Sequence, residues 1–216
     1  MKKLNTFLIG LMALIAMLVA TSANASMILR LDDGLGPAYD VNITDDGDGV
    51  IFYNGGIGNW NVVVSTALSK PSTSLPELMH LNVIALGYGT LDIELTDTDF
   101  TQAPTTLIAN LGGVSGGALS FNAYQDTSNT PFGTDNPIHS YTAGIGAFSD
   151  SSMTVVGPSG GYALTMLASI THTGTTAQSS SFDYVIKVPE PASLALMGIG
   201  LLALGAFVSR RNKRSD

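Results

Sequence analysis

The chain has 216 residues, no cysteine, 45% hydrophobic against 12% charged residues, and a formal net charge of −8. Without thiols it can form no disulfide, no Cys-ligated zinc site and no iron–sulfur centre. Three of the nine basic and fifteen of the seventeen acidic residues fall between Ser26 and Lys187, giving that stretch a charge of −12. Such a segment repels phosphate backbones, so nucleic acid is a poor partner, while cations, cationic polymers and neutral sugars remain open.

The first 25 residues read as a secretory signal peptide. Lys2 and Lys3 precede an apolar run from Phe7 to Ala20, and Ala23 and Ala25 supply the small-residue exit that signal peptidase accepts, placing cleavage before Ser26. Residues 26–187 then form one domain, an ordinary size for a single core.

Helical periodicity is missing from this stretch. Short runs rich in Val, Ile, Tyr, Phe and Thr alternate with Gly, Pro, Asn, Asp and Ser, which is how antiparallel sheet reads. Strands are expected at 27–31, 39–43, 50–54, 60–66, 79–86, 91–95, 118–125, 140–148, 152–157, 161–171 and 181–187. Leu91, Ile93 and Leu95 face a core while Asp92 and Glu94 face water, and Phe182, Tyr184 and Ile186 share a face. Turns are expected at Gly55-Gly56, Gly87, Gly112-Gly113, Asn136-Pro137, Gly157-Pro158 and Gly160-Gly161, and loops over 71–76 and 127–137. The fold class that follows is all-β: an antiparallel two-sheet sandwich or jelly roll.

Candidate sites within the domain are weak. Gly113-Val114-Ser115-Gly116-Gly117 fits the G-x-S-x-G elbow of serine hydrolases, but the elbow needs a strand-to-helix turn and residues 118–125 read as strand. A second match, Gly157-Pro158-Ser159-Gly160-Gly161, follows in a glycine-rich chain, and both are read as turns. His80, His139 and His172 are widely spaced and read as surface or strand-edge residues. Asp92 and Glu94, with Asp97 and Asp99 beyond them, read as neighbours on a solvated face rather than as a glycosidase pair set across a cleft. Asn42 to Gly49 partly resembles a calcium loop, with Asp45, Asp46 and Asp48 as weak Ca²⁺ candidates, though Tyr53 stands where an EF-hand has its glutamate. Phe52, Tyr53, Trp60, Tyr88 and Tyr124 could stack on sugars if exposed. No catalytic residue and no cofactor is expected.

Residues 188–216 form the other signal. Val188-Pro189-Glu190-Pro191 leads into an apolar run from Leu194 to Val208, then Arg210, Arg211, Lys213 and Arg214. With its small flanking residues the run makes a helix of about 27 Å, just enough for a bilayer core of roughly 30 Å. The basic cluster should stay cytoplasmic, which puts the domain outside. This order of motif, apolar helix and arginine-rich end resembles the PEP-CTERM sorting signal of Gram-negative bacteria. The resemblance implies recognition by an exosortase-type sorting enzyme, removal of the tail, and association with exopolysaccharide in a biofilm or floc matrix. The expected function is therefore that of an exported, non-enzymatic surface or matrix protein. A carbohydrate-binding module is the alternative, and a secreted polysaccharide hydrolase the less favoured one.

Overall fold

The structure is a computed structural model that describes residues 27–36, 40–73, 77–101, 104–157 and 160–189. The described residues contain twelve strands and no helix. The first six are β1 (Ile28–Asp32), β2 (Val41–Thr44), β3 (Val50–Ile57), β4 (Trp60–Leu68), β5 (Glu77–Gly87) and β6 (Gly89–Phe100). The rest are β7 (Thr106–Ser115), β8 (Ala118–Asp126), β9 (Asn136–Ala143), β10 (Gly146–Val155), β11 (Tyr162–His172) and β12 (Gln178–Lys187). They form two antiparallel six-stranded sheets, ordered β2-β1-β6-β11-β8-β9 and β10-β7-β12-β5-β4-β3.

Alternation decides which side chains meet between the sheets. From the first sheet come Leu29, Leu31, Leu91, Ile93, Leu95, Phe121, Met166 and Ile170; from the second come Val62, Val64, Leu81, Val83, Leu111, Phe182, Tyr184 and Ile186. Phe121 centres the contact, its ring 4.9 Å from Phe182 and 5.8 Å from Tyr184. The fold is thus the expected all-β two-sheet sandwich.

Several local expectations need correcting. Gly112-Gly113 is no turn: both lie inside β7, a strand that was not expected and that pairs with β10 on one side and β12 on the other. A Cβ at Gly113 would press into the Ser181 carbonyl and the Phe148 ring, so this glycine marks close packing rather than a bend. Gly55-Gly56 likewise lies within β3, where the Tyr53 ring covers Gly55. Asn136-Pro137 opens β9, and the runs 140–148 and 152–157 divide instead at Gly144-Ile145 between β9 and β10.

Alternation in β6 ends at a β-bulge. Register with β11 shifts between Leu164, opposite Asp97, and Tyr162, opposite Phe100. Asp99 sits there with φ of 61°, held by Asn129, whose Oδ1 accepts the Asp99 N–H at 2.8 Å and whose Nδ2 donates to Asp99 Oδ1 at 2.6 Å. The bulge turns Phe100 inward, while Asp97, in phase with Leu91, Ile93 and Leu95, is fully buried on the core side. Asp97 Oδ2 accepts from Ser69 Oγ at 2.5 Å and Lys70 Nζ at 3.0 Å. Burial pushes its carboxyl above the ordinary aspartate value, against the pull of Ser69 and Lys70.

The signal peptide, the Glu190 to Asp216 tail with its expected transmembrane helix, and residues 37–39, 74–76, 102–103 and 158–159 lie outside the described residues. Among the described residues no helix is long and apolar enough to cross a membrane.

Candidate functional site

The outer face of the first sheet carries a concave groove. Its floor is made by strand residues that alternation points away from the core, aligned by the ladder into rows. One row runs Asp32, Asp92, Ser169, Ser120 and Thr142; two residues along, the next runs Arg30, Glu94, Leu167, Asn122 and Ser140. Asp92, Glu94, Ser120, Asn122, Leu167 and Ser169 line a hollow of about 190 Å³. A second of about 260 Å³, lined by Ala118, Ser120, Thr142, Ala143, Ser169 and Thr171, adjoins it through Ser120 and Ser169. Small side chains in the middle strands leave the hollow.

The β8–β9 connection over 127–135 builds the rim at one end. Phe132 N–H donates to Thr96 Oγ1 at 3.1 Å, and the Arg30 guanidinium stands 3.7 Å from the Phe132 ring centroid and 3.9 Å from Glu94. Gly133 must be glycine here, because a Cβ would fall on the Asp126 carboxylate. The groove therefore presents carboxylates, hydroxyls, an amide and aliphatic side chains, Leu167 the largest of those facing outward, side by side. Asp92 and Glu94 do face outward, and they line the groove together with residues the sequence did not single out: Ser120, Asn122, Leu167 and Ser169. Alternation in β8 and β11 could have pointed to those four, but not to the hollow between them.

The elbow serine is elsewhere, buried in a turn. Ser115 ends β7 and is 2% exposed; its hydroxyl donates to Gly117 O at 2.7 Å and accepts the Gly117 N–H at 3.0 Å, closing the β7–β8 turn. Ser159 lies outside the described residues. His172 corrects the expectation of surface histidines, being 1% exposed and tilted against Trp60 at 4.8 Å. Its Nδ1–H donates to Gly87 O at 2.9 Å, and its Nε2 shares a hydrogen bond of 2.7 Å with Ser180 Oγ. Gly116 N–H donates to the same Ser180 oxygen at 3.1 Å. This is the connectivity of a serine–histidine dyad, with Ser180 itself only 1% exposed. The knot ties three turns at one end of the sandwich.

His139 is buried too, its Nε2–H donating to Asp150 Oδ2 at 2.8 Å and its Nδ1 accepting from Tyr184 Oη at 2.8 Å. Burial holds the Tyr184 phenol far above its ordinary range, reinforced by the charges of Asp150 and Tyr124. His80 is the one histidine near water, between Glu77 at 3.2 Å and Asp183 at 2.5 Å on the outer face of the second sheet.

In the loop that resembles a calcium site, Asp45 Oδ2 accepts the N–H groups of Gly47 and Gly49 at 3.0 Å each, and Oδ1 that of Met27 at 2.7 Å. Asp48 accepts the Val50 N–H at 2.8 Å, and Asp46 is exposed. Among the described residues the carboxylates that converge are different ones: Asp32, Asp33 and Asp40, each with an oxygen within 4.8 Å of the others. The aromatic residues form no platform. Trp60 is buried with its indole N–H on Thr90 O at 3.1 Å, Phe52 is exposed on β3 of the second sheet, and Tyr124 lies on the outer face of the first.

The sorting residues divide at the edge of the described chain. Val188 packs against the core directly after β12 and Pro189 is exposed; Glu190, Pro191, Arg210, Arg211, Lys213 and Arg214 lie outside, as do Ala23, Ala25 and Ser26. Met27 and Val188 leave the sandwich at the same end, the one that holds the β6–β7 connection.

Sheets and tail together define an all-β sandwich domain joined without a spacer to a C-terminal sorting signal. The family model described as the PEP-CTERM protein-sorting motif matches residues 187–212, so the chain carries a PEP-CTERM sorting signal at that end. The motif implies export, a C-terminal membrane anchor before processing, and processing by an exosortase-type enzyme. None of the curated proteins matches the chain.

Solved structures share parts of the architecture. The PA14 domain of the MpAFP antifreeze protein is 13% identical at a TM-score of 0.28, over 45% of this chain and 40% of that one. A β-glucosidase from Kluyveromyces marxianus in complex with glucose is 8% identical at 0.40, over 82% and 17%. The CBM36-1 domain of a multidomain xylanase from the hindgut metagenome of Trinervitermes trinervoides is 10% identical at 0.32, over 77% and 98%. The chain thus spans well under half the length of the first two. Likenesses this slight carry neither ligand nor activity across.

Proposed function

We propose that this is an exported, non-catalytic glycan-binding protein of the cell surface or extracellular matrix. Its mature form starts at Ser26 after signal peptidase cleavage, and its tail beyond the Pro189–Pro191 region is removed by the sorting enzyme. The observation that carries the binding role is the continuous groove on the outer face of the first sheet. Its hydroxyls, amide and carboxylates suit sugar hydroxyls, and Leu167 offers an apolar contact for a pyranose C–H face. The groove crosses four strands, about 14 Å at the usual strand spacing, which suits a polymer better than a single sugar. It runs toward the end of the sandwich opposite the tail, so it stays accessible while the anchor is in place.

Two features favour binding over catalysis. The dyad-like Ser180 and His172 are enclosed, and Asp92 and Glu94 stand on one face of one strand rather than across a cleft. The test is retention of the full-length chain, in mild detergent, on a panel of insoluble polysaccharides, with competition by soluble fragments. Saturable retention that Ser169→Trp abolishes, with the far-UV circular dichroism of the fold unchanged, is the expected result. Retention unaffected by Ser169→Trp overturns the groove as the site, and release of reducing sugar that Asp92→Asn abolishes overturns the non-catalytic reading.

A further inference from the structure

We propose that the groove selects a polysaccharide bearing protonated amines, such as a glucosamine-containing chain, through the carboxylates of Asp92 and Asp32. This rests on the glycan-binding reading above and adds the ligand's chemical class. The first observation is the register: Asp32 on β1 lies directly opposite Asp92 on β6, two like charges paired across a ladder where such pairs destabilise. An ammonium group placed between the row and solvent relieves that repulsion.

The second observation is that each of the domain's own cations has another acidic residue as its neighbour. Lys70 is drawn to buried Asp97, Lys187 lies on the second sheet opposite Glu77, and Arg30 is packed over Phe132 beside Glu94. The third is the composition of the floor next to Asp92. Ser169, Ser120 and Thr142 continue the same row as uncharged hydroxyls, so one repeat of a polymer can set its amine at the acidic end and its hydroxyls along the rest. Uronate or phosphate chains meet the same carboxylates as repulsion.

The experiment compares binding of the full-length chain, in mild detergent at pH 6, to chitosan, to its N-acetylated counterpart chitin, to cellulose and to alginate. Glucosamine amines are then largely protonated and Asp92 and Asp32 face the same polymer backbone with and without charge. We expect chitosan to bind at least tenfold more tightly than chitin and alginate not at all. Asp92→Asn should weaken chitosan binding tenfold or more, while Asp183→Asn, the same charge change on the outer face of the second sheet, should alter it less than twofold. Equal losses from Asp92→Asn and Asp183→Asn would show diffuse attraction to an acidic protein and overturn the proposal. Equal binding of chitosan and chitin, both lost in Ser169→Trp, would also overturn it while leaving the groove a neutral-glycan site. Binding to none of the four polymers sinks both the proposal and the reading it rests on.

Discussion

Asp97→Ala should be among the most damaging substitutions in the protein, although Asp97 touches no ligand site. Asp97 is fully buried, and its Oδ2 gathers Ser69 Oγ at 2.5 Å and Lys70 Nζ at 3.0 Å. Removing the carboxylate leaves Lys70, whose side chain is only 20% exposed, with the Thr98 carbonyl and the Phe100 ring 4.1 Å away. Breaking a buried pair from one side costs about 3–5 kcal/mol, and the residual exposure of Lys70 sets the expectation at about 3. Against a total stability of about 5–15 kcal/mol, that moves a urea midpoint by about 1–2 M.

Asp97→Asn isolates the charge. Burial raises the folded-state pKa above the ordinary 3.8, so the folded chain binds this proton more tightly than the unfolded chain. The advantage of wild type over Asp97→Asn is therefore greatest below pH 3.8 and shrinks as pH rises through the folded value. Trp60, the single tryptophan and a buried one, reports unfolding by fluorescence in the full-length chain. A loss under about 1 kcal/mol for Asp97→Ala, or a wild-type advantage that grows with pH, refutes the argument.

Other outcomes follow from the same geometry. Gly133→Ala drives a methyl into the Asp126 carboxylate and should cost about 1–3 kcal/mol, whereas Gly157→Ala, with open space around it, should stay within about 0.5 in the same melts. Ser180→Ala strips the buried His172 Nε2 and Gly116 N–H of their partner and should cost about 1–3 kcal/mol, with glycan retention unchanged once folded. In cells that hold the sorting enzyme, mass spectrometry of the exported pool should find Ser26 as first residue and lose peptides containing Leu201 or Arg210. Full recovery of those peptides there would refute tail removal.

The codes at the two ends of the chain are local, and the family match bears out the C-terminal one. Lys2-Lys3, an apolar run and Ala23-x-Ala25 are read by length and polarity alone, and Val188-Pro189-Glu190-Pro191 with its apolar and basic followers is read the same way. Strand character was also local: period-two alternation in β6, β11 and β12 placed Leu95, Met166 and Phe182 in the core before any pairing was known. What alternation could not supply was partnership. β7 went unseen because Gly112-Gly113 reads as a turn until β12 and the Phe148 ring are laid against it. Asp97 is in phase with Leu91, Ile93 and Leu95, so alternation points it inward; its carboxylate reads as solvated only until Ser69 and Lys70 are brought against it. Ser115 matches a hydrolase motif by spacing, while the serine beside a histidine is Ser180, eight residues from His172 across the β11–β12 turn. The buried dyad joins consecutive strands of opposite sheets, whereas the groove exists in no one segment. The groove forms where strands distant in sequence become neighbours in a sheet, so only the register of the ladders decided which carboxylates and hydroxyls share a surface.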